Sequence, residues 1–424
     1  MSDSEILPLF GQPEQNIDIL SKRIERCSSV NSSDADHIKF LIAGSEEYIN
    51  LLATTLYYKI RILKANGEDI DDGTDVALIN YSAATIFEKV DISLGVANDL
   101  VLSHDNYHYS SFLIAQLTFD DHVKNTSLTA GNFYSDTAGK MDALTNENAG
   151  FISRKNASAK STFLECESSI NSGFFSQMKP LKNRISLQIE FSKVATEFAL
   201  MCADGSNFKL EIIEPTLIIE RLSLSAKLLN VYESQFLKSP MEYYIERSKF
   251  HVKDIDSGLA SITLKDFCDS NHLPKRISFA MVSELSYSGK YSLNGFNFKN
   301  YNLKSLNLSL NGTCLTGKPM NMDFAGKQYL QPYTQTLKSL GFFGKKDTCS
   351  ISKEQFANGS TIFVFDIAPT LSTLNLIDPI QSGRIELDLV FAQATPEKFK
   401  AVIYSEYEDV FSINHLQRIT KSYT

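Results

Sequence analysis

The amino-acid sequence predicts an all-β protein made of two tandem eight-stranded jelly rolls with short helical excursions. Three observations carry that expectation. The octet Arg-Ile-Ser-Leu-Gln-Ile-Glu-Phe at 184–191 returns as Arg-Ile-Glu-Leu-Asp-Leu-Val-Phe at 384–391. In both, large apolar residues alternate: Ile185, Leu187, Ile189 and Phe191, then Ile385, Leu387, Leu389 and Phe391. A period of two sets all four on one face of a strand. Second, the landmarks around the octets recur in one order: strand and turn, helix, octet, final strand. Third, the chain has 28 Phe, 18 Tyr and no Trp. With abundant Ser, Asn and Thr and few charged helical runs, that balance favours β-structure with polar loops. A length of 424 residues accommodates two such units at roughly 100–200 residues per domain.

The elements follow in order. Residues 1–36 are polar and read as an N-terminal arm. Jelly roll 1 is expected over 37–222. Ile38, Phe40 and Ile42 alternate, as do Tyr58, Ile60 and Ile62 before a turn at Asn66-Gly67. Val90, Ile92 and Leu94 form a strand that stops at Gly95, and Tyr109, Phe112, Leu113 and Leu117 have helical spacing. Residues 119–160 lack periodicity and read as a long surface excursion. The octet and a strand over about 209–221 close the unit. A helical connector over 223–239 ends at Ser239-Pro240. Jelly roll 2, over 240–413, repeats the scheme. Leu306, Leu308 and Leu310 alternate up to Asn311-Gly312, Tyr329, Tyr333, Leu337 and Leu340 have helical spacing, and the octet and a strand over 401–411 follow. Residues 414–424 read as a tail.

The chemistry-bearing residues do not assemble into a catalytic pattern. Gly312-Thr313-Cys314-Leu315-Thr316-Gly317-Lys318-Pro319 has phosphate-loop glycine spacing, but Pro319 stands where a magnesium-binding hydroxyl is needed, and no helix is expected to follow. His104 and His108 share i, i+4 spacing without a third ligand, and the bland reading is a helix carrying two polar residues. Asp120-Asp121-His122 and Asp254-Ile255-Asp256 look like ordinary loop acids. The six cysteines are scattered, with no Cys-x-x-Cys pair, and are expected as free thiols in a reducing compartment. No catalytic residue, metal or cofactor is expected. The net charge of −9 without a basic block argues against a nucleic-acid-coating protein. The opening residues lack a basic region and apolar core, so secretion is not expected. A carbohydrate-binding double β-sandwich is the alternative reading, with Tyr243-Tyr244 and the Tyr404/Tyr407 pair as its candidate sugar-facing aromatics.

Several segments go beyond architecture. They are Phe133-Tyr134-Ser135-Asp136-Thr137-Ala138-Gly139-Lys140-Met141-Asp142, Leu273-Pro274-Lys275-Arg276-Ile277, Phe296-Asn297-Phe298-Lys299-Asn300-Tyr301 and Gly317-Lys318-Pro319. Farther on come Asn358-Gly359-Ser360-Thr361-Ile362-Phe363-Val364-Phe365-Asp366 with Pro369, and Val402-Ile403-Tyr404-Ser405-Glu406-Tyr407. In this order, over about 38–413, the chain resembles the major capsid (hexon) protein of Polinton/Maverick elements and the related adintoviruses. The resemblance implies a double jelly roll whose homotrimer makes a pseudo-hexagonal capsomer of an icosahedral shell. It implies neighbouring capsomers, penton and minor capsid proteins as partners, no direct sequence-specific nucleic-acid binding, and residence in the virion after synthesis in a host cell. The 119–160 excursion, with Phe133, Tyr134 and Met141 among small polar residues, is expected at the trimer interface because it holds apolar surface without a core of its own.

Overall fold

The computed structural model describes residues 18–31, 36–345, 349–368 and 378–422. Two antiparallel sheets face each other in the first half. One has the order β1 (Ile19–Ser28), β10 (Phe208–Leu224), β3 (Tyr48–Lys64), β7 (Leu164–Ser169). The other runs β2 (His37–Ile42), β8 (Leu187–Lys193), β5 (Phe87–Leu94), β6 (Asp99–Asp105). A two-stranded ribbon joins β4 (Val76–Leu78) to β9 (Leu200–Cys202).

The second half repeats the order of both four-stranded sheets. Its first sheet is β11 (Met241–Ile255), β19 (Phe399–Ile413), β13 (Arg276–Ser283), β17 (Ile362–Asp366). Its second is β12 (Ser261–Leu264), β18 (Ile385–Phe391), β14 (Leu303–Leu310), β15 (Thr313–Cys314), with β16 (Met320–Asn321) also on β14. In each half the first strand lies beside the last long one, which is the winding of a jelly roll. Helices fill the connections: α1 (Ser82–Thr85), α2 (Tyr107–Thr118), α3 (Asp121–Lys124), α4 (Ala149–Ala157) and α5 (Thr196–Ala199) in the first half. In the second half are α7 (Glu284–Tyr287), α8 (Leu330–Ser339) and α9 (Lys353–Ala357). Between the halves lies α6 (Ala226–Phe236), begun by the Ser225 hydroxyl accepting from the Leu228 amide and followed by Pro240.

The octets are the central strands β8 and β18, flanked by β2 and β5 and by β12 and β14. Leu187, Ile189, Leu387 and Leu389 are each at most 1% exposed. Leu387 sits opposite Leu264 on one side and Leu308 on the other. Leu387→Ala should therefore cost ~2–5 kcal/mol through the cavity it leaves. A denaturation midpoint equal to that of the parent chain would disprove the register.

Three expectations change. The segment read as an arm over 1–36 contains a barrel strand: β1 pairs with β10 from Ile19↔Leu224 to Ser28↔Thr216. Its mixed polar pattern hid it, because an edge strand buries little; Leu20 and Ile24 remain 66% and 69% exposed. Residues 1–17 and 32–35 of that segment lie outside the described residues. The expected tail over 414–424 also returns to the sheet, with β20 (Ile419–Lys421) pairing with β19. The 119–160 excursion, finally, is more than surface: it carries α3, α4 and two 3-10 turns, and buries Phe133, Phe151 and Arg154 to 1% exposure or less.

Candidate functional site: the seam between the barrels

One apolar core runs through both barrels without a break, and α2 is what joins them. Nine of its twelve residues are buried, because barrel 1 covers one side and barrel 2 the other. Phe112 stacks on Phe296 with centroids 4.1 Å apart, and Tyr109 stacks on Tyr287 and Phe250 at 5.4 and 5.7 Å. Such offset aromatic pairs add about 0.5–1.5 kcal/mol each beyond their buried area. The sequence held a signal for this: apolar residues spread around α2 wider than one face, as a helix covered on both sides requires.

Polar groups then set the register of the seam. The Arg154 guanidinium and Asp136 carboxylate form an ion pair at 2.9 Å with side chains 0% and 1% exposed. Arg154 also donates to the carbonyls of Leu78 and Tyr134, at 3.0 and 3.1 Å. The second Asp136 oxygen accepts from the Asn294 side chain of barrel 2 at 3.0 Å. Asp142 accepts from the Asn294 backbone at 2.8 Å and from the Asn297 side chain at 2.7 Å. Gly139 donates to the Asn358 carbonyl at 2.8 Å. His104, on β6, contacts Ser172 of its own barrel at 2.7 Å and Ser248 of barrel 2 at 3.3 Å. Gly173 is required where the barrels touch: a Cβ there would lie 1.9 Å from the Glu246 carbonyl oxygen. Asn294, Arg154 and Gly173 were not singled out in the sequence, since each is ordinary until the halves are docked.

Phe133 and Met141 thus have a different job from the interface role expected of them. Phe133 is 1% exposed, packed on Tyr81 and Phe112, and Met141 is 6% exposed against Gly359. Their apolar surface is already covered within the chain. Tyr134 is half-buried, and its backbone holds Asn80 and Arg154. Three of the segments that carry the family resemblance, around 133–142, 296–301 and 358–366, meet at this seam.

Other singled-out residues fall elsewhere. His104 lies on β6 and His108 on α2, so they do not share a helical face. Burial pushes their imidazoles down to about 4 and about 3, which keeps both neutral. Among the described residues no group of three or more His, Cys, Asp or Glu is arranged for a metal. Gly312 and Gly317, both at positive φ, turn the β14–β15 hairpin and its exit, and β16 follows, so there is no helix N-terminus for a phosphate. Asp120 caps α3 by accepting from Val123, and Asp254 pairs with Lys400. None of the six cysteines is in a disulfide among the described residues. Tyr243, Tyr404 and Tyr407 are buried and only Tyr244 of those tyrosines is exposed, which leaves the alternative sugar-binding reading without an aromatic platform there.

One seam group is electrostatically strained. Glu406 on β19 lines a cavity of about 110 Å³ together with Ile114, Leu117 and Thr118 of α2. Burial pushes its carboxyl up to about 7, and the neighbouring Glu246 and Asp366 push the same way; Arg276, 3.4 Å away, and Lys275 oppose them. In the unfolded chain the group titrates near 4.5. The stability tied to its proton is fully present below that value and is lost as pH rises through about 7. Glu406→Gln should raise stability above pH 7 by ~1–3 kcal/mol, since each tenfold change in proton affinity is worth about 1.4 kcal/mol, and change little below pH 4.5. Melting curves across that range test it; a variant equally destabilised at every pH would refute it.

Two side-by-side jelly rolls sharing one core define a double jelly roll. Viral capsid proteins with this fold match the chain from end to end. A chain of the Sputnik virophage cryo-EM structure aligns with a TM-score of 0.64 at 11% identity, over 100% of this chain and 92% of that one. The faustovirus major capsid protein gives 0.61 at 7% identity over 95% and 92%, and the mavirus major capsid protein 0.54 at 11% over 100% and 95%. At such identities the likeness is one of fold. An uncharacterised Caenorhabditis elegans protein, F54H12.2, is 25% identical over 389 residues, 88% of this chain and 90% of its own length. No protein-family model matches the chain.

Proposed function

We propose that this protein is the major capsid protein of an icosahedral particle of the Polinton/Maverick and adintovirus lineage, assembled as pseudo-hexagonal homotrimers. The observation that carries the reading is the locked pair of equivalent jelly rolls, a fold shared along nearly the whole chain with viral capsid proteins. A duplicated barrel lets closed threefold symmetry present six similar wedges to its neighbours. The seam suits that role: a tile must keep its two halves in one orientation, and buried aromatic and ionic contacts do so. The role is structural rather than catalytic. Its partners are copies of itself, neighbouring capsomers, and penton and minor capsid proteins, and its place is the virion shell. The charge of −9 per chain favours solubility before assembly over direct contact with DNA.

Light scattering and negative-stain electron microscopy of the purified chain test the reading. A species of three times 47.5 kDa with a hexagonal outline is expected, together with shells on concentration. A chain that remains a monomer and forms no particles would end it.

A further inference from the structure

The internal duplication leaves one half of a seam unused on each side of the molecule. Within the chain, α2 of barrel 1 covers the outer face of the β11–β19–β13–β17 sheet of barrel 2, burying Tyr404 and Ser278 and half-burying Phe250. The equivalent helix of barrel 2 is α8, which follows the same strand and precedes the same sheet edge. Only three of its ten residues are buried, against nine of twelve in α2. The outer face of the equivalent sheet of barrel 1, β1–β10–β3–β7, is covered at one end, where Leu228 and Leu229 of α6 pack on Tyr48, Leu222 and Leu224; along β1 it is open, with Ile24 69% and Leu20 66% exposed, and Leu330 on α8 is 58% exposed.

We propose that α8 of one copy docks on the outer face of the β1–β10–β3–β7 sheet of a second copy, repeating between chains the seam that α2 makes within one. The charges agree. On that sheet Glu165 and Glu167 accept from the hydroxyls of Tyr57 and Thr55, at 2.8 and 2.7 Å, and neither forms an ion pair among the described residues. The exposed face of α8 carries Lys338, which lies over the Phe343 ring, and the helix has no acidic residue. A groove of about 410 Å³, lined by Thr55, Glu167, Phe119 and Leu128, lies open on that face. The matching position in barrel 2 is the smaller cavity, of about 110 Å³, that Ile114, Leu117 and Thr118 of α2 line. The contact is head-to-tail, so it needs a closing rotation, and alternating within-chain and between-chain seams close six barrels into a ring of three chains.

The inference rests on the capsomer reading and specifies its interface; two variants separate the two. One carries Leu330→Asp with Lys338→Glu on α8, the other Ile24→Asp with Glu167→Lys on the sheet. All four positions are on the surface, and circular dichroism reports the fold; if either double variant unfolds, Lys338→Glu and Ile24→Asp alone take their place. Each variant by itself should run at 47.5 kDa by sedimentation. Mixed one to one, the intact helix of the second should dock on the intact sheet of the first and give pairs of twice that mass that cannot close. Folded variants that keep the parental trimer mass overturn this interface and leave the capsomer standing. A parent chain that is itself monomeric overturns the capsomer reading instead, and this interface with it.

Discussion

Asp136→Ala should be among the most damaging single substitutions in this chain, costing ~3–5 kcal/mol, because it leaves a buried guanidinium without its counter-charge. Arg154 is 0% exposed and cannot turn to water; its remaining partners are the neutral Leu78 and Tyr134 carbonyls and the Met201 sulfur. The same change removes one of the two acceptors of the Asn294 amide and leaves it the Met141 carbonyl at 3.3 Å, so both sides of the seam lose a bond at once. Against a net stability of about 5–15 kcal/mol for a folded domain, a loss of that size is a large share. Asp136→Asn keeps the shape and an acceptor but removes the charge, and should fall between the two. Urea unfolding of the three chains measures this. If Asp136→Ala shifts the midpoint no more than a surface substitution does, the ion pair does not hold the barrels.

Deletion of residues 19–28 should prevent barrel 1 from folding, where an arm would have been dispensable. The deletion removes β1, opens the full edge of β10 and invites edge-to-edge aggregation. It also leaves Arg221, 4% exposed, without Glu25, which it contacts at 2.6 Å. The Arg221 hydrogen bond holds the Glu25 carboxyl below its usual range. That part of the stability is present above about pH 4.5 and is lost as pH falls through the lowered value, opposite in sign to Glu406. Glu25→Ala should therefore weaken the chain at neutral pH and have little effect in acid. The measurements are solubility and near-ultraviolet dichroism of the deleted chain and melting curves of the point variant. A deleted chain that stays soluble with native dichroism would show that β10 needs no partner on that side.

Alternation made the central strands legible. β8 and β18 bury one face and lie beside two neighbours each, so their apolar pattern has to be strict, and it reads directly from Leu187, Ile189, Leu387 and Leu389. Helices α2 and α8 were legible by spacing for a similar reason. The edge strand β1 was not, because one flank has no strand partner among the described residues and its inward positions carry Arg23, Glu25 and Cys27 rather than aliphatic residues. The excursion over 119–160 misled for another reason: its apolar residues are few, and they are buried by partners outside it, Phe133 by Tyr81 and Phe112 and Met141 against Gly359 of barrel 2.

By itself, the sequence determined that this chain is β-rich, that one unit is built twice, and where the core strands of each copy lie. Those properties depend on local periodicity, which neighbouring residues carry whatever the rest of the chain does. Tertiary structure alone decided how the two units dock: that Asp136 faces both Arg154 and Asn294, that Phe112 stacks on Phe296, that Gly173 must lack a side chain, and that Phe133 and Met141 are core rather than surface. Each of these joins residues far apart in sequence, and a contact of that kind has no period. It exists only once desolvation and packing have brought distant parts of the chain together.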